Sequence, residues 1–157
     1  MAPLVRRASV GDAKAISALN ADVQALHAQA LPWRFKPPGV DSFPPAEAAA
    51  LIAKPENVVL IATIDAEPAG YAYAEVISRP ETAMHHAHEM VYLHHISVRP
   101  QYRRQGVGNA LMSAVRAAGQ ELGITLVALD VWTFNKDARA FFARQGFTPY
   151  NERLWSR

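Results

Sequence analysis

Cysteine is missing from this chain of 157 residues. Its absence excludes a disulfide framework, a thiol nucleophile and a thiolate metal site. Long hydrophobic runs are missing as well. No stretch approaches the roughly 20 apolar residues that a membrane-spanning helix needs, and residues 1–10 lack the apolar segment of a signal peptide. We therefore expect a cytoplasmic protein that does not bind membranes.

An excess of charge of one sign is also lacking, since 16 Lys and Arg residues face 14 Asp and Glu residues, for a net charge of +2. Binding of nucleic acid through Arg99, Arg103 and Arg104 is an alternative, but the helix predicted after them carries an apolar face and no further basic stripe. We expect no nucleic-acid partner. The chain also lacks internal repeats, and its length fits one domain over residues 1–157.

Hydrophobic periodicity predicts a mixed sheet with helices on both faces. The predicted strands cover residues 4–7, 58–64, 70–77, 90–98, 125–131 and 148–154, and the predicted helices cover about 12–26, 46–53, 107–118 and 138–145. The second and third strands should form an antiparallel hairpin. In the first helix, Ile16, Leu19, Val23 and Leu26 are expected to face the core. Strand 125–131 is apolar apart from Asp130, as expected of a strand covered on both faces.

The stretch from Ile96 to Met112 combines a short strand, a basic turn and a helix. Gly106 and Gly108 let the backbone approach a ligand closely, and the first turn of a helix has unpaired N–H groups that favour an anion. Arg103 and Arg104 add donors suited to phosphate oxygens. The stretch lacks the lysine of a Walker motif and the third glycine of a dinucleotide-binding motif. It therefore predicts a pyrophosphate site of another kind.

The run from Val98 to Leu111, with its Arg-x-x-Gly-x-Gly core, resembles the coenzyme A-binding signature of the GNAT N-acyltransferase superfamily. A second match runs from Asn135 to Phe147 and resembles that family's closing helix and the strand after it. The resemblance implies a GNAT-like α/β (α+β) fold, with a mostly antiparallel twisted sheet of about six or seven strands and about four helices. It also implies an acetyl-CoA-dependent N-acetyltransferase.

The resemblance further implies that strand 90–98 parts from strand 125–131 beyond a bulge, which would free an N–H near residues 96–98 to stabilise the thioester oxygen. Asn135 and Phe141 would touch the pantetheine arm or pack the helix. The residues expected to bind coenzyme A are Ile96, Ser97, Val98, Arg103, Arg104, Gln105, Gly106, Val107, Gly108, Asn109, Asn135, Ala138, Phe141 and Phe142.

The strand Tyr92-x-His94-x-Ile96-x-Val98 resembles the His-x-His-x-Leu-x-Val strand of arylalkylamine N-acetyltransferases. By that resemblance His94 is the catalytic base that deprotonates the amine, and Tyr92 stands where the other histidine would be. A packed, structural His94 is the alternative. A period of two places Tyr92, His94 and Ile96 on one face of the strand, and His95 is expected to be structural.

Phe142 departs from the family pattern, in which a tyrosine at this position can protonate the leaving thiolate. Tyr150 or a water molecule would have to replace it, or the thiolate would leave unassisted, which its pKa of about 8.5 permits. Glu75 and Glu89 could attract a cationic amine or act as bases through water, although both also fit plain surface carboxylates. Tyr73 is a candidate for the wall of the cleft.

The segment 31–45 contains five prolines and three aromatic residues, Trp33, Phe35 and Phe43. It either covers the acceptor side of the cleft or forms a loop held by its own aromatic rings. His85, His86 and His88 lie in a predicted loop without regular ligand spacing, so we expect no metal.

The predicted partner is thus a small-molecule or peptide amine, acetylated by direct attack in a ternary complex. A non-catalytic acyl-CoA-binding module is the alternative. The resemblance leaves both a monomer and a homodimer open.

Overall fold

A computed structural model describes every residue from Met1 to Arg157. Its strands are β1 (Leu4–Arg7), β2 (Asn57–Ile64), β3 (Glu67–Arg79), β4 (His88–Val98) and β5 (Val127–Leu129). They form one 5-stranded sheet in chain order. The pairs β1–β2, β2–β3 and β3–β4 are antiparallel, whereas β5 is parallel to β4. The mixed, mostly antiparallel sheet is confirmed, but with five strands rather than six or seven.

The strand predicted over residues 148–154 is absent. Pro149 removes a backbone donor from this segment, and Leu154 is exposed. Trp155 contacts the rings of Trp33 and Trp132, so the segment makes aromatic contacts instead of adding to the sheet. The strand predicted over 125–131 is also shorter than expected, and only Ala128 within β5 is buried.

The helices are α1 (Ala13–Leu19), α2 (Ala21–Ala30), α3 (Pro45–Ala53), α4 (Val107–Glu121) and α5 (Lys136–Arg144). The sheet separates two hydrophobic cores. The α4-side core joins one face of β2, β3 and β4 to α4 and to Phe142 of α5. The α1-side core joins the opposite face to α1, α3 and Phe43. Helices on both faces of the sheet are therefore confirmed.

The first predicted helix is interrupted at Asn20, which separates α1 from α2. The Asn20 side chain is buried and donates from Nδ2 to the Tyr71 hydroxyl at 2.8 Å. The carbonyl of Leu19, at the end of α1, accepts a hydrogen bond from Ser97 Oγ at 2.7 Å. These two hydrogen bonds join the end of α1 to strands β3 and β4. The predicted core face therefore holds for Ile16 and Leu19 but is wrong for Leu26, which is 41% exposed.

Alternation along β3 follows the prediction, because Tyr71 and Tyr73 lie on the α1 side whereas Ala72 and Ala74 belong to the α4-side core. The hairpin of β2 and β3 is confirmed. Its turn holds Asp65 at φ 50° and Ala66 at φ 67°. None of the helices combines the length and the apolar composition needed to cross a bilayer.

Candidate functional site

The gap between β4 and β5 is the central feature of the candidate site. The two strands pair over three positions only, and their last pair joins Leu93 to Leu129. Arg99 donates its backbone N–H to Ala69 of β3 at 2.9 Å. Because N–H groups alternate in direction along a strand, those of Val98 and Ile96 point the other way, toward the gap. The predicted parting of the strands is confirmed.

A β-bulge precedes the gap. Tyr73 of β3 pairs with His95 of β4, and the next residue, Ala74, pairs with Leu93, so His94 is the extra residue. The bulge shifts the alternation of β4 side chains between the two faces of the sheet by one residue. Tyr92 and His94 lie on the α1 side with Tyr73, whereas Ile96 packs against the α4-side core. The prediction that Ile96 shares their face is therefore wrong.

His94 is held by side chains from two strands. Its Nε2 lies 2.7 Å from Oε2 of Glu75, and its ring stacks on Tyr73 with centroids 4.7 Å apart. The ring of Tyr92 meets it edge-on at 4.8 Å. The His94 side chain remains 32% exposed, so solvent or a ligand can reach it. The structure thus brings together His94 and Tyr92, the two predicted catalytic residues, and adds Glu75 to them.

Asp130 is a site residue that sequence reasoning passed over. It directly follows β5 at the edge of the gap and accepts a hydrogen bond from the Tyr92 hydroxyl. Burial, together with the hydrogen bond and charge of Asp130, raises the pKa of Tyr92, so the phenol stays protonated and remains a donor. A lone carboxylate in an otherwise apolar stretch is the signal that could have identified it.

His95 lies on the interior side of this group. Its Nδ1 is 3.0 Å from the Tyr71 hydroxyl, which also accepts a hydrogen bond from Asn20. Burial, with smaller contributions from His94 and His27, lowers the pKa of His95 to about 4. His95 is therefore neutral at physiological pH, and its Nδ1 accepts a hydrogen bond from the Tyr71 hydroxyl. The predicted structural role of His95 is confirmed.

The turn before α4 presents a row of unpaired donors. None of the backbone N–H groups of residues 104–109 donates to a protein acceptor. Gly106 adopts φ 83° and Arg104 adopts φ 60°, and α4 begins at Val107. Arg103, Arg104 and Gln105 are exposed around this turn. The turn can therefore hold an anion such as a pyrophosphate through its main chain, with arginine side chains beside it.

Helix α5 packs on the start of α4. A side chain at Gly108 would place its Cβ 3.1 Å from Cε2 of Phe141, so glycine permits this contact. Gln145 also donates to Asn109 at 2.7 Å. Phe141 therefore packs against α4 directly beside the unpaired N–H groups.

The other α5 candidates have structural contacts. Asn135 caps α5 by accepting from the Ala138 N–H at 3.2 Å. Ala138 is partly buried against the α4-side core. Phe142 is buried in that core, where it contacts Phe141 and Phe147. The structure thus gives Phe142 a packing role.

The segment 31–45 packs on the chain that follows β5. Phe35 meets Trp132 edge-on at 5.4 Å, and the Arg34 guanidinium lies 5.1 Å from the Trp132 ring. Phe43 is buried in the α1-side core. The loop is therefore not held by its own rings alone. It lies against the segment that leads away from the gap, on the side proposed for an acceptor.

The histidines of the β3–β4 loop are exposed. His86 Nδ1 lies 3.2 Å from Glu81, and His85 contacts Thr82. No group of three or more His, Cys, Asp or Glu side chains is arranged to hold a metal ion.

Comparison with known proteins places this architecture among acetyltransferases. An uncharacterized N-acetyltransferase from the pepI 3' region of Lactobacillus delbrueckii subsp. lactis is 25% identical over 104 residues, which cover 66% of this chain and 59% of that protein. The chain thus spans less than two thirds of that relative's length.

Two solved structures show the same fold. A tetramutant of the BH1408 protein from Bacillus halodurans superposes with a TM-score of 0.93 at 20% identity, covering 98% of this chain and 99% of that one. The aminoglycoside acetyltransferase AAC(6')-Iy, in complex with a CoA-containing bisubstrate analogue, superposes with a TM-score of 0.77 at 20% identity, covering 100% and 98%. Residues 21–147 match the family model of the acetyltransferase (GNAT) family. The chain therefore belongs to the GNAT acetyltransferase family.

Proposed function

We propose that this protein transfers an acetyl group from acetyl-CoA to a primary amine of a small molecule or peptide. The observation that carries the proposal is the row of unpaired N–H groups over residues 104–109, next to parted strands. Such N–H groups fit a pyrophosphate, and Arg103 and Arg104 supply fixed positive charge beside them. Ile96, Ser97 and Val98 form the part of β4 that lies between His94 and this turn.

The proposed reaction needs no acyl-enzyme, in keeping with a chain that has no cysteine. The neutral amine nitrogen attacks the thioester carbon, the carbon–sulfur bond breaks, the thiolate leaves, and the nitrogen releases its second proton to solvent or to the thiolate. The N–H groups of Ile96 and Val98 point toward the gap and would stabilise the negative charge that develops on the carbonyl oxygen. His94 would take the proton of the amine, because a protonated alkylamine, with a pKa near 10, cannot attack.

Departure of the thiolate does not depend on Phe142, which is apolar and buried. Tyr150 is 80% exposed. Tyr150 or solvent would protonate the thiolate after it leaves. An alkyl thiol has a pKa of about 8.5 and is a fair leaving group without assistance.

A direct test is to incubate the protein with acetyl-CoA and a panel of amines and to measure free thiol. The panel should include an aminoglycoside, because the chain shares its fold with the aminoglycoside N-acetyltransferase AAC(6')-Iy. It should also include an arylalkylamine and a peptide with a free N-terminus. Thiol release with at least one amine is expected. His94→Ala should lower kcat by about 10²- to 10⁴-fold, the usual contribution of a general base, and should leave coenzyme A affinity unchanged.

Calorimetry separates the alternatives. An absence of heat with coenzyme A would refute the donor site. Binding without turnover across the panel would favour a non-catalytic acyl-CoA-binding module, which the loss of the family's tyrosine at Phe142 makes the second candidate.

A further inference from the structure

The contact between Glu75 and His94 determines which nitrogen of the histidine can act as a base. A carboxylate only accepts hydrogen bonds, so Nε2 of His94 must donate across the 2.7 Å to Glu75. A neutral imidazole with its proton on Nε2 carries its lone pair on Nδ1. No protein group forms a hydrogen bond with Nδ1 of His94. The free lone pair is therefore on Nδ1.

The surroundings of His94 hold this arrangement in place. Tyr73 lies two residues before Glu75 on β3, so both side chains project from the same face. Tyr73 covers one side of the imidazole, with 16° between the ring planes, and Tyr92 meets the ring from β4. A 180° flip of the ring about the Cβ–Cγ bond would place Cε1 where Nε2 lies and would break the hydrogen bond to Glu75.

The titratable groups around His94 come from three segments. Glu75 and Tyr73 belong to β3, Tyr92 and His95 belong to β4, and Asp130 follows β5. The Asp130 carboxylate accepts a hydrogen bond from the Tyr92 hydroxyl. On the interior side, His95 forms a hydrogen bond with the Tyr71 hydroxyl. Glu75 is therefore the one carboxylate that forms a hydrogen bond with His94.

We propose that Glu75 is a positioning residue, which accepts a hydrogen bond from Nε2–H and thereby presents Nδ1 of His94 as the base for the acceptor amine. This inference rests on the proposed function. In the proton transfer an N–H bond of the amine breaks and an Nδ1–H bond forms, while the Nε2 proton stays on the ring. The Glu75 side chain then pairs with the imidazolium that results.

Three variants test this role. In Glu75→Gln the amide oxygen can still accept from Nε2 but cannot take up a proton, whereas Glu75→Leu removes the acceptor. Glu67→Leu is the matched control, because Glu67 is an exposed carboxylate at the start of the same strand and forms no side-chain hydrogen bond. Nitrogen-15 NMR of His94 at pH 8 reports which ring nitrogen carries the proton, and steady-state kinetics report kcat.

The ring of wild-type His94 should carry its proton on Nε2. Glu75→Gln should keep this tautomer and should lower kcat by no more than about 10-fold, whereas Glu75→Leu should give a mixture of tautomers and lower kcat by about 100-fold or more, with KM for acetyl-CoA unchanged. Glu67→Leu should match the wild type. Across the series, kcat should follow the fraction of His94 with its proton on Nε2.

Two outcomes would overturn the inference. If Glu75→Gln lost as much activity as His94→Ala while keeping the tautomer, Glu75 would itself be the base. If Glu75→Leu kept both the tautomer and kcat, Glu75 would not position the ring. The NMR measurement needs no turnover. If the wild-type protein acetylated none of the amines, the proposed function would be refuted, and the tautomer data would still show whether Glu75 orients the His94 ring.

Discussion

At the residue scale, adjacent histidines on β4 have opposite environments. His94 is the bulged residue and remains 32% exposed, whereas His95 points into the α1-side core toward Tyr71 and Phe43. The hydroxyl of Tyr71 accepts from Asn20 and donates to His95. A protonated His95 would have to donate to that hydroxyl instead. The buried network thus favours the neutral ring.

This network predicts how stability depends on pH. The pKa of His95 is lowered to about 4 in the folded protein from an ordinary value of 6.5, chiefly by burial. As pH falls, the unfolded chain takes up this proton first. His95 therefore contributes stability that is fully present above pH 6.5 and is lost as the pH falls from 6.5 to 4.

Urea unfolding at pH 7.5 and at pH 5 measures this contribution. The loss of unfolding free energy between the two pH values should be smaller in His95→Asn than in the wild type. It should not vanish, because burial also lowers the pKa of His27. His86→Asn, whose parent side chain is 99% exposed, should behave like the wild type. An identical pH dependence in His95→Asn and wild type would show that another group is responsible.

At the element scale, the contact between α4 and α5 controls the geometry of the unpaired N–H groups. Gly108→Val should push Phe141 away, because even a Cβ would lie 3.1 Å from the Phe141 ring. We expect coenzyme A affinity to fall at least about 10-fold, as measured by calorimetry, since the donors of a preorganised site would be displaced. Gly39→Ala, where no atom lies within 4 Å of the added Cβ, is the control.

A second substitution identifies the cause of the loss. Phe141→Ala in the Gly108→Val background removes the clash and should restore part of the coenzyme A affinity. Unchanged affinity in Gly108→Val alone would mean that these N–H groups do not bind the donor.

Elements with regular periodicity were predictable from the sequence, and the errors occur where the register shifts. The β2–β3 hairpin, α4 and the positive φ of Gly146 after α5 follow local rules. The bulge at His94 does not, because it depends on the pairing with β3, and it moved Ile96 to the opposite face. The break at Asn20 likewise depends on Tyr71 and Ser97, which are distant in sequence.

The parts of the candidate site that lie within one local motif were predictable from the sequence, whereas contacts between strands were not. The turn at residues 103–109 and His94 can be found from local motifs. Nothing in the sequence distinguishes Glu75 from other carboxylates. Only the pairing of β3 with β4 shows that it lies beside His94. Asp130 joins the site only because β5 ends beside Tyr92. Both contacts join separate strands, so periodicity within one strand could not reveal them.

At the scale of the whole molecule, Trp132 joins segments that have no regular secondary structure. It contacts Phe35 and Arg34 from the 31–45 segment and Trp155 near the other end of the chain. Trp33 contacts Trp155 as well. These rings connect two segments that the hydrogen bonds of the sheet do not hold.

Trp132→Ala should therefore loosen both segments. Hydrogen exchange is expected to become faster in residues 31–36 and 148–157 and to stay unchanged in α4, because the Trp132 ring contacts Phe35, Arg34 and Trp155 but not α4. Val40→Ala, at a residue that is 86% exposed, should change neither. If exchange rose in only one of the two segments, Trp132 would not be their common support.

The main-chain donors before α4 have one further consequence. Peptide N–H groups do not ionise, and guanidinium groups keep their charge throughout the range in which histidines titrate. The donor half of the proposed site should thus be chemically constant from mildly acidic to mildly alkaline solution. Any acid sensitivity of acetylation that arises from the protein would then originate outside this turn.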